Sequence, residues 1–184
     1  MAKRMTHPPK DKKQKKPRKE KVEPLSELER ASKAIQEFSK ALIHLDEAKM
    51  LAAWGQAPNA CVHSAYYAMY HTATAVILTV GGVGKRGDAP ASHVHIVEHF
   101  GKIVASQKPE LESLGLTLNR ARQDRMISDY GLVEGASDNE AAYLAQVAED
   151  FTETCRGAWG LKMGRSFSDF INAHKVDIQQ NKKV

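Results

Sequence analysis

A chain of 184 residues with 27 Lys or Arg against 22 Asp or Glu and 42% hydrophobic side chains has the material for one core of ordinary size plus a tail. Its two cysteines, Cys61 and Cys155, stand far apart without paired spacing, which argues against a disulfide framework or a cysteine zinc site and for free thiols in a reducing cytoplasm. The formal charge of +5 is unevenly placed, since Met1 to Lys21 holds ten Lys or Arg against Asp11 and Glu20 while the remainder holds 17 basic against 20 acidic residues.

Residues 1–24 combine self-repelling lysines with four prolines and almost nothing apolar, so nothing offsets the entropy of ordering them and a disordered basic tail is expected. Such a tail attaches to RNA, DNA or an acidic partner through counterion release, or simply solubilises the chain. It has no aromatic ring for base stacking and no apolar run to make a secretory signal. Ser26 and Glu29 then form a capping box, after which Leu28, Ala31, Ile35, Phe38, Leu42, Leu45 and Ala48 recur at helical spacing. This first helix is expected to run to about Ala53 and stop near Gly55. Pro58 suits the first turn of a second helix, and so short a link predicts antiparallel packing.

The stretch from Asn59 to Val80 has no formally charged side chain and carries three of the five tyrosines. At four-residue spacing it splits into an apolar ridge of Ala65, Met69, Ala73 and Ile77 and a polar-tipped ridge of His63, Tyr67 and His71. Small residues at Ala60, Ser64, Ala68, Thr72 and Ala75 admit close neighbours, while Tyr66, Tyr67 and Tyr70 bring rings whose hydroxyls need partners. A buried central helix is predicted. The stretch is long enough to cross a bilayer, but its polar tips cluster in the first half and no basic flank adjoins it, so no membrane span is expected.

Next comes GGVGKRGDAP, whose glycines with Lys85 and Arg86 raise the question of a phosphate cradle. No strand precedes it and no Gly-Lys-Ser or Gly-Lys-Thr opens the following helix, so a flexible loop is the better reading. Ser92 can cap a third helix with Val94, Val97, Phe100, Ile103 and Val104 inward. His95 and His99 have the i, i+4 spacing of two metal ligands beside Glu98, yet no third ligand is near, and exposed or interfacial histidines are expected rather than a metal or other cofactor. A fourth helix is predicted from about Glu110 to Asp129, where Arg122 and Arg125 lie one turn apart and Asp129, four residues after Arg125, can pair with it. Tyr130 and Gly131 end it. Ser137 and Glu140 open a fifth helix to about Trp159, and Phe167, Phe170 and Ile171 suggest a short docked helix before a frayed end. With no period-two run, the fold class is all-α: an antiparallel, up-and-down bundle of about five helices over 25–160, between the 1–24 tail and a 161–184 terminal segment.

Three pieces together, AYYAMYHTATAVIL at 65–78, SHVHIVEHFGKIV at 92–104 and RMISDYG at 125–131, resemble the HEPN domain (higher eukaryotes and prokaryotes nucleotide-binding). The likeness is to the small bacterial subfamily whose central helix reads Tyr-Ala-Met-Phe/Tyr-His-Ala and whose fourth ends Arg-x-x-Ala-Asp-Tyr, and it spans about Leu28 to Trp159. The resemblance implies a helical bundle that forms a homodimer along the central and fourth helices. It also implies either a metal-independent ribonuclease, often the toxin beside a nucleotidyltransferase-type antitoxin, or non-catalytic binding of nucleotide or RNA. The catalytic branch carries Arg, four to six residues, then His. Here the chain departs from it: no His follows Arg122 or Arg125 in that window, and Arg86 and His93 fit the spacing only across a loop.

Metal-free RNA cleavage needs a base, a cation for the charged phosphorane and a donor to the leaving oxygen. Arg122 or Arg125 can supply the cation, and His63, His71 or His93 the proton chemistry if folding brings one near. The candidate catalytic set is therefore Arg122, Arg125, Asp129, Tyr130 and His71, and the candidate RNA- or nucleotide-binding set His63, Tyr67, His93, Lys85 and Arg86. The competing reading makes Arg125 and Asp129 a buried pair that fixes helix register. Three functions stay open: RNA or nucleotide binding or cleavage, a dimeric interaction module or adaptor with an inert site, and, more weakly, a metal-dependent enzyme through His93, His95, Glu98 and His99.

Overall fold

The computed structural model describes residues 23–130 and 135–164. The expected tail up to residue 22 and the expected docked helix through Phe167, Phe170 and Ile171 lie outside the described residues. Five helices follow in order: α1 (Glu27–Trp54), α2 (Pro58–Thr79), α3 (His93–Gln107), α4 (Ser113–Tyr130) and α5 (Asp138–Trp159). Among the described residues there is no strand, only an isolated bridge between Val83 and Asp88, and the chain is all-α.

The helix boundaries follow from local chemistry. The Ser26 hydroxyl accepts from Glu29 N at 3.2 Å while the Glu29 carboxylate accepts from Ser26 N at 2.8 Å; Ser137 and Glu140 repeat the arrangement at 3.3 and 2.8 Å. Each box satisfies two donors that a bare helix start leaves orphaned. Gly55 and Gly160 close α1 and α5 at φ 64°, returning their N–H groups to Leu51 and Arg156. The fourth helix starts later than its periodicity predicts. Pro109–Leu111 forms a 3₁₀ turn, with Leu111 N bonded to Lys108 O at 2.8 Å and Glu112 N to Pro109 O at 3.2 Å, and the regular helix opens only at Ser113.

Fourteen of the 22 residues of α2 are buried, which makes it the axis of the bundle. Cys61 meets Ala48, Ser64 meets Glu47 and His71 meets Glu37, so residue numbers fall along α1 as they rise along α2 and the two are antiparallel. The pairs His63 with Asp129 and Tyr67 with Arg125 place α4 antiparallel as well. Cys61 beside Ala141 and Thr72 beside Thr152 show α5 running with α2. Tyr66, Met69, Val76 and Ile77 of α2 pack with Phe38, Phe100, Leu118 and Phe151 in one apolar cluster, each large side chain contributing about 1.5–3 kcal/mol of transfer free energy. Among the described residues no helix is long and apolar enough to cross a membrane.

The glycine-rich segment after α2 is a pinned turn rather than the flexible loop its composition suggests. Gly81, Gly82, Gly84 and Gly87 all take positive φ. At Gly82 a Cβ would lie 2.1 Å from the Gly87 carbonyl oxygen. Val83 N bonds Asp88 O at 2.8 Å and Leu25 N bonds Arg86 O at 2.9 Å. Asp88 also takes Lys33 of α1 at 2.7 Å and holds a side-chain bond to Ala89 N at 2.9 Å. The pin is a salt bridge across 55 residues of sequence, which composition cannot reveal.

Candidate functional site

The polar-tipped ridge of α2 does what its spacing predicts: His63, Tyr67, Tyr70 and His71 are half-buried on a helix otherwise sunk in the core. Tyr67 stands at the centre of an aromatic group, with ring centroids 4.6 Å from His63, 5.5 Å from His44, 5.6 Å from His93 and 6.0 Å from His71. Helix α1 borders the group on one side with His44, Glu47 and Glu37, and α4 on the other with Arg122, Arg125 and Asp129. The start of α3 supplies His93.

On the α4 side, Arg125 Nε lies 2.6 Å from Asp129 Oδ2, with the two side chains 17% and 20% exposed. The same nitrogen is buried and makes no hydrogen bond, so the pair is a charge contact and not a directed bond. The Arg125 guanidinium carbon sits 5.8 Å from the Tyr67 centroid and 5.3 Å from that of Tyr130. Asp129 Oδ2 takes a second partner, His63 Nδ1 at 3.2 Å. Arg122 has less to hold it. Its Nε is buried without a partner, and its described bond is a weak one from Nη1 to the Met126 sulfur at 3.4 Å.

His93 is brought to these arginines by packing. Its ring stacks on Tyr70 at 4.3 Å and 19°, and its Nδ1 is 2.7 Å from the Tyr66 hydroxyl. Burial, then the charge of Arg125, lowers the His93 pKa below the ordinary histidine value, with His71 and Arg122 adding to the effect. Burial pushes the Tyr66 phenol far up, against the pull of both arginines. Tyr66 is fully buried and His93 Nδ1 is its partner. Its O–H therefore donates to Nδ1, since the opposite arrangement would orphan the phenolic proton. The proton of the neutral imidazole then sits on Nε2. Arg122, Arg125 and His93 together present hydrogen-bond donors with few acceptors to spend them on, which is the donor balance an anion requires.

On the α1 side, His71 Nδ1 lies 2.7 Å from Glu37 and His44 Nδ1 2.9 Å from Glu47. The two imidazoles stack within 4° of parallel at 5.5 Å. Glu37, whose carboxyl is desolvated, is nonetheless held below the usual range by its bonds to His71 and Lys40.

Of the predicted residues, Arg122, Arg125, Asp129, Tyr130, His63, Tyr67 and His93 come together; Tyr130, 72% exposed, covers one face of Arg125. His71 joins the same ridge but turns to α1. Lys85 and Arg86 do not join it: they lie in the pinned turn, where Arg86 Nε faces Asp88 at 3.6 Å. The histidines of α3 diverge, His95 bonding Ser92 at 2.9 Å and Glu98 pairing with Lys102 at 2.6 Å, and among the described residues no three His, Cys, Asp or Glu side chains converge to hold a metal. Tyr66, His44 and Glu47 belong to the cluster and stand outside both candidate sets, although the need of the Tyr66 hydroxyl for a partner is legible in the sequence. A groove of about 510 Å³ between α4 and α5, with Ala121, Ile127, Tyr143 and Leu144 in its lining, lies elsewhere on α4.

The described residues form an all-helical bundle with arginines, histidines and tyrosines gathered on one face. The HEPN domain family model matches residues 21–158, and the chain belongs to that family. Curated protein sequences give no match to it.

Proposed function

We propose that the chain binds the phosphate of RNA or of a nucleotide between α3 and α4, with Arg122, Arg125 and the Nε2–H of His93 as donors. The observation that carries this is Arg122: a buried guanidinium nitrogen without a protein acceptor is costly to keep unless a ligand supplies one. Residue Arg125 is shared, since Asp129 offsets its charge while Tyr67 and Tyr130 fix its plane. The basic tail adds affinity through counterion release, so binding is expected to weaken steeply with salt, and removal of Met1 to Lys21 to reduce that slope. Exposed Met126, Ile127 and Tyr130 on α4 support a second copy packing beside the site as a homodimer. Pairing with a nucleotidyltransferase-type antitoxin belongs to the same proposal and rests on family membership.

Cleavage is the lesser reading. A phosphorane would find its cations here, but with Tyr66 donating to Nδ1 the His93 ring offers a proton rather than a base. Anisotropy titration of a labelled single-stranded RNA against wild type, Arg122→Ala and His93→Ala tests binding. Loss of affinity in both variants is expected, and unchanged affinity in Arg122→Ala refutes the site. Incubation with RNA in chelator separates the two readings, because a 2′,3′-cyclic phosphate product that disappears in Arg122→Ala means cleavage.

A further inference from the structure

The cluster is polarised. Its donors, Arg122, Arg125 and His93, lie on the α3 and α4 side of Tyr67, whereas acceptors are concentrated toward α1. Glu47 Oε2 takes both His44 Nδ1 at 2.9 Å and Ser64 Oγ at 3.4 Å, and among the described residues nothing bonds its other oxygen, Oε1. The Glu47 side chain is 44% exposed. Beside it the His44 and His71 rings stack on one another, with Tyr67 inclined 41° and 37° to them, and His44 and Arg125 both sit against Tyr67, at 5.5 and 5.8 Å from its centroid. A phosphate held by Arg122 and Arg125 therefore has aromatic rings next to it, and beyond them an exposed carboxylate oxygen without a protein partner.

From this geometry we propose that the α1 side is a nucleobase subsite: the base stacks on the partly exposed His44 ring at the rim of the Tyr67–His44–His71 group, and Glu47 Oε1 accepts a hydrogen bond from an exocyclic amine. The inference deepens the phosphate-binding reading and rests on it. A carboxylate is an acceptor only, so it pairs with the amine of cytosine, as carboxylates do with cytosine N4, or with that of adenine. Uracil carries no exocyclic amine and turns its carbonyl oxygens toward any carboxylate beside its one N–H. Stacking itself is tolerant of base identity, and selectivity falls to Glu47. Asp129, whose Oδ2 already serves Arg125 and His63, lies on the phosphate side and is not assigned to the base.

The test titrates equal-length labelled oligo-A, oligo-C and oligo-U against the full chain at one salt concentration, with AMP and UMP as competitors to separate a mononucleotide ligand from a strand. Oligo-A and oligo-C are expected to bind about tenfold more tightly than oligo-U, the worth of one hydrogen bond to a charged group. In Glu47→Gln, whose amide donates as well as accepts, that ratio is expected to collapse toward one. Equal affinity for all three oligomers in the wild-type protein overturns the base subsite and leaves the phosphate site standing, provided Arg122→Ala still weakens binding. A preference that persists in Glu47→Gln also overturns it. Failure of every oligomer to bind overturns both.

Discussion

Arg122 and Arg125 stand one turn apart on the same helix, and replacing each by Ala is expected to have opposite consequences. Removing Arg125 leaves Asp129 about four-fifths buried with His63 as its remaining partner. Breaking a fully buried pair costs roughly 3–5 kcal/mol and a surface pair roughly 0–1 kcal/mol. The one-fifth exposure of both side chains and the retained imidazole put Arg125→Ala between them, at about 2 kcal/mol. For a domain of this size that is a fall of about 4–8 °C in Tm. Arg122→Ala removes a buried nitrogen without a partner, so its stability is expected to stay level or rise, while RNA affinity drops by about tenfold or more as a charge-assisted contact is lost. Circular dichroism melts and anisotropy titrations on the two variants decide it, and an Arg125→Leu, Asp129→Leu double variant should recover much of the lost stability. A fully stable, binding-dead Arg125→Ala beside a destabilised Arg122→Ala refutes the assignment.

The lowered pKa of His93 makes stability depend on pH. Below about 6.5, the ordinary histidine value, the unfolded chain takes up a proton that the folded chain refuses; stability contributed by His93 is present above that pH and lost as pH falls toward the folded pKa. Thermal melts of wild type and His93→Asn should converge between pH 7.5 and 5.5, and a gap independent of pH refutes it. Burial raises the pKa of both thiols, that of Cys155 strongly, so neither should react with iodoacetamide at pH 8 until the protein unfolds; rapid native alkylation of Cys155 contradicts its burial. Gly82→Ala puts a Cβ against the Gly87 carbonyl at positive φ and should cost about 2 kcal/mol or more by chemical denaturation, whereas Gly84→Ala, with open space around its Cβ, carries only the cost of its backbone conformation.

Helix starts were legible because their cause is local. A Ser three residues ahead of a Glu at the head of an apolar periodic run is the signature of a capping box, and both boxes formed. The central helix was legible because 22 residues without a formal charge are suited only to the interior, and its two ridges survive as a buried row and a half-buried row. The turn after α2 was misread because glycine content records permitted freedom and not the constraint laid on it. Lys33 and Asp88 are far apart in sequence, and only the α1–α2 hairpin brings them together. Likewise the periodicity of the fourth helix extends back through Leu111, yet Pro109 starts a tighter i, i+3 turn that the spacing of apolar residues does not resolve.

The site divides the same way. Arg125 with Asp129 is an i, i+4 pair and could be read from one helix, but His63 with Asp129 and Tyr66 with His93 join different helices. The His93 result is instructive, because its spacing from Arg86 imitates the Arg-to-His pattern of a catalytic HEPN helix while its spatial neighbours are Arg122 and Arg125. The loop between Arg86 and His93 is reason to set that spacing aside, and of the three candidate histidines His93 is the one on α3 that folding brings to those arginines. The antiparallel α1–α2 link carries further: with Gly55 ending one helix and Pro58 starting the next, the start of the polar ridge of α2 lies against the later turns of α1. There His44 and Glu47 form an i, i+3 pair of their own. The predicted register, carried one step further, names the acceptor side of the cluster from the sequence, and with it the separation of donors from acceptors across Tyr67 on which the proposed nucleotide orientation depends.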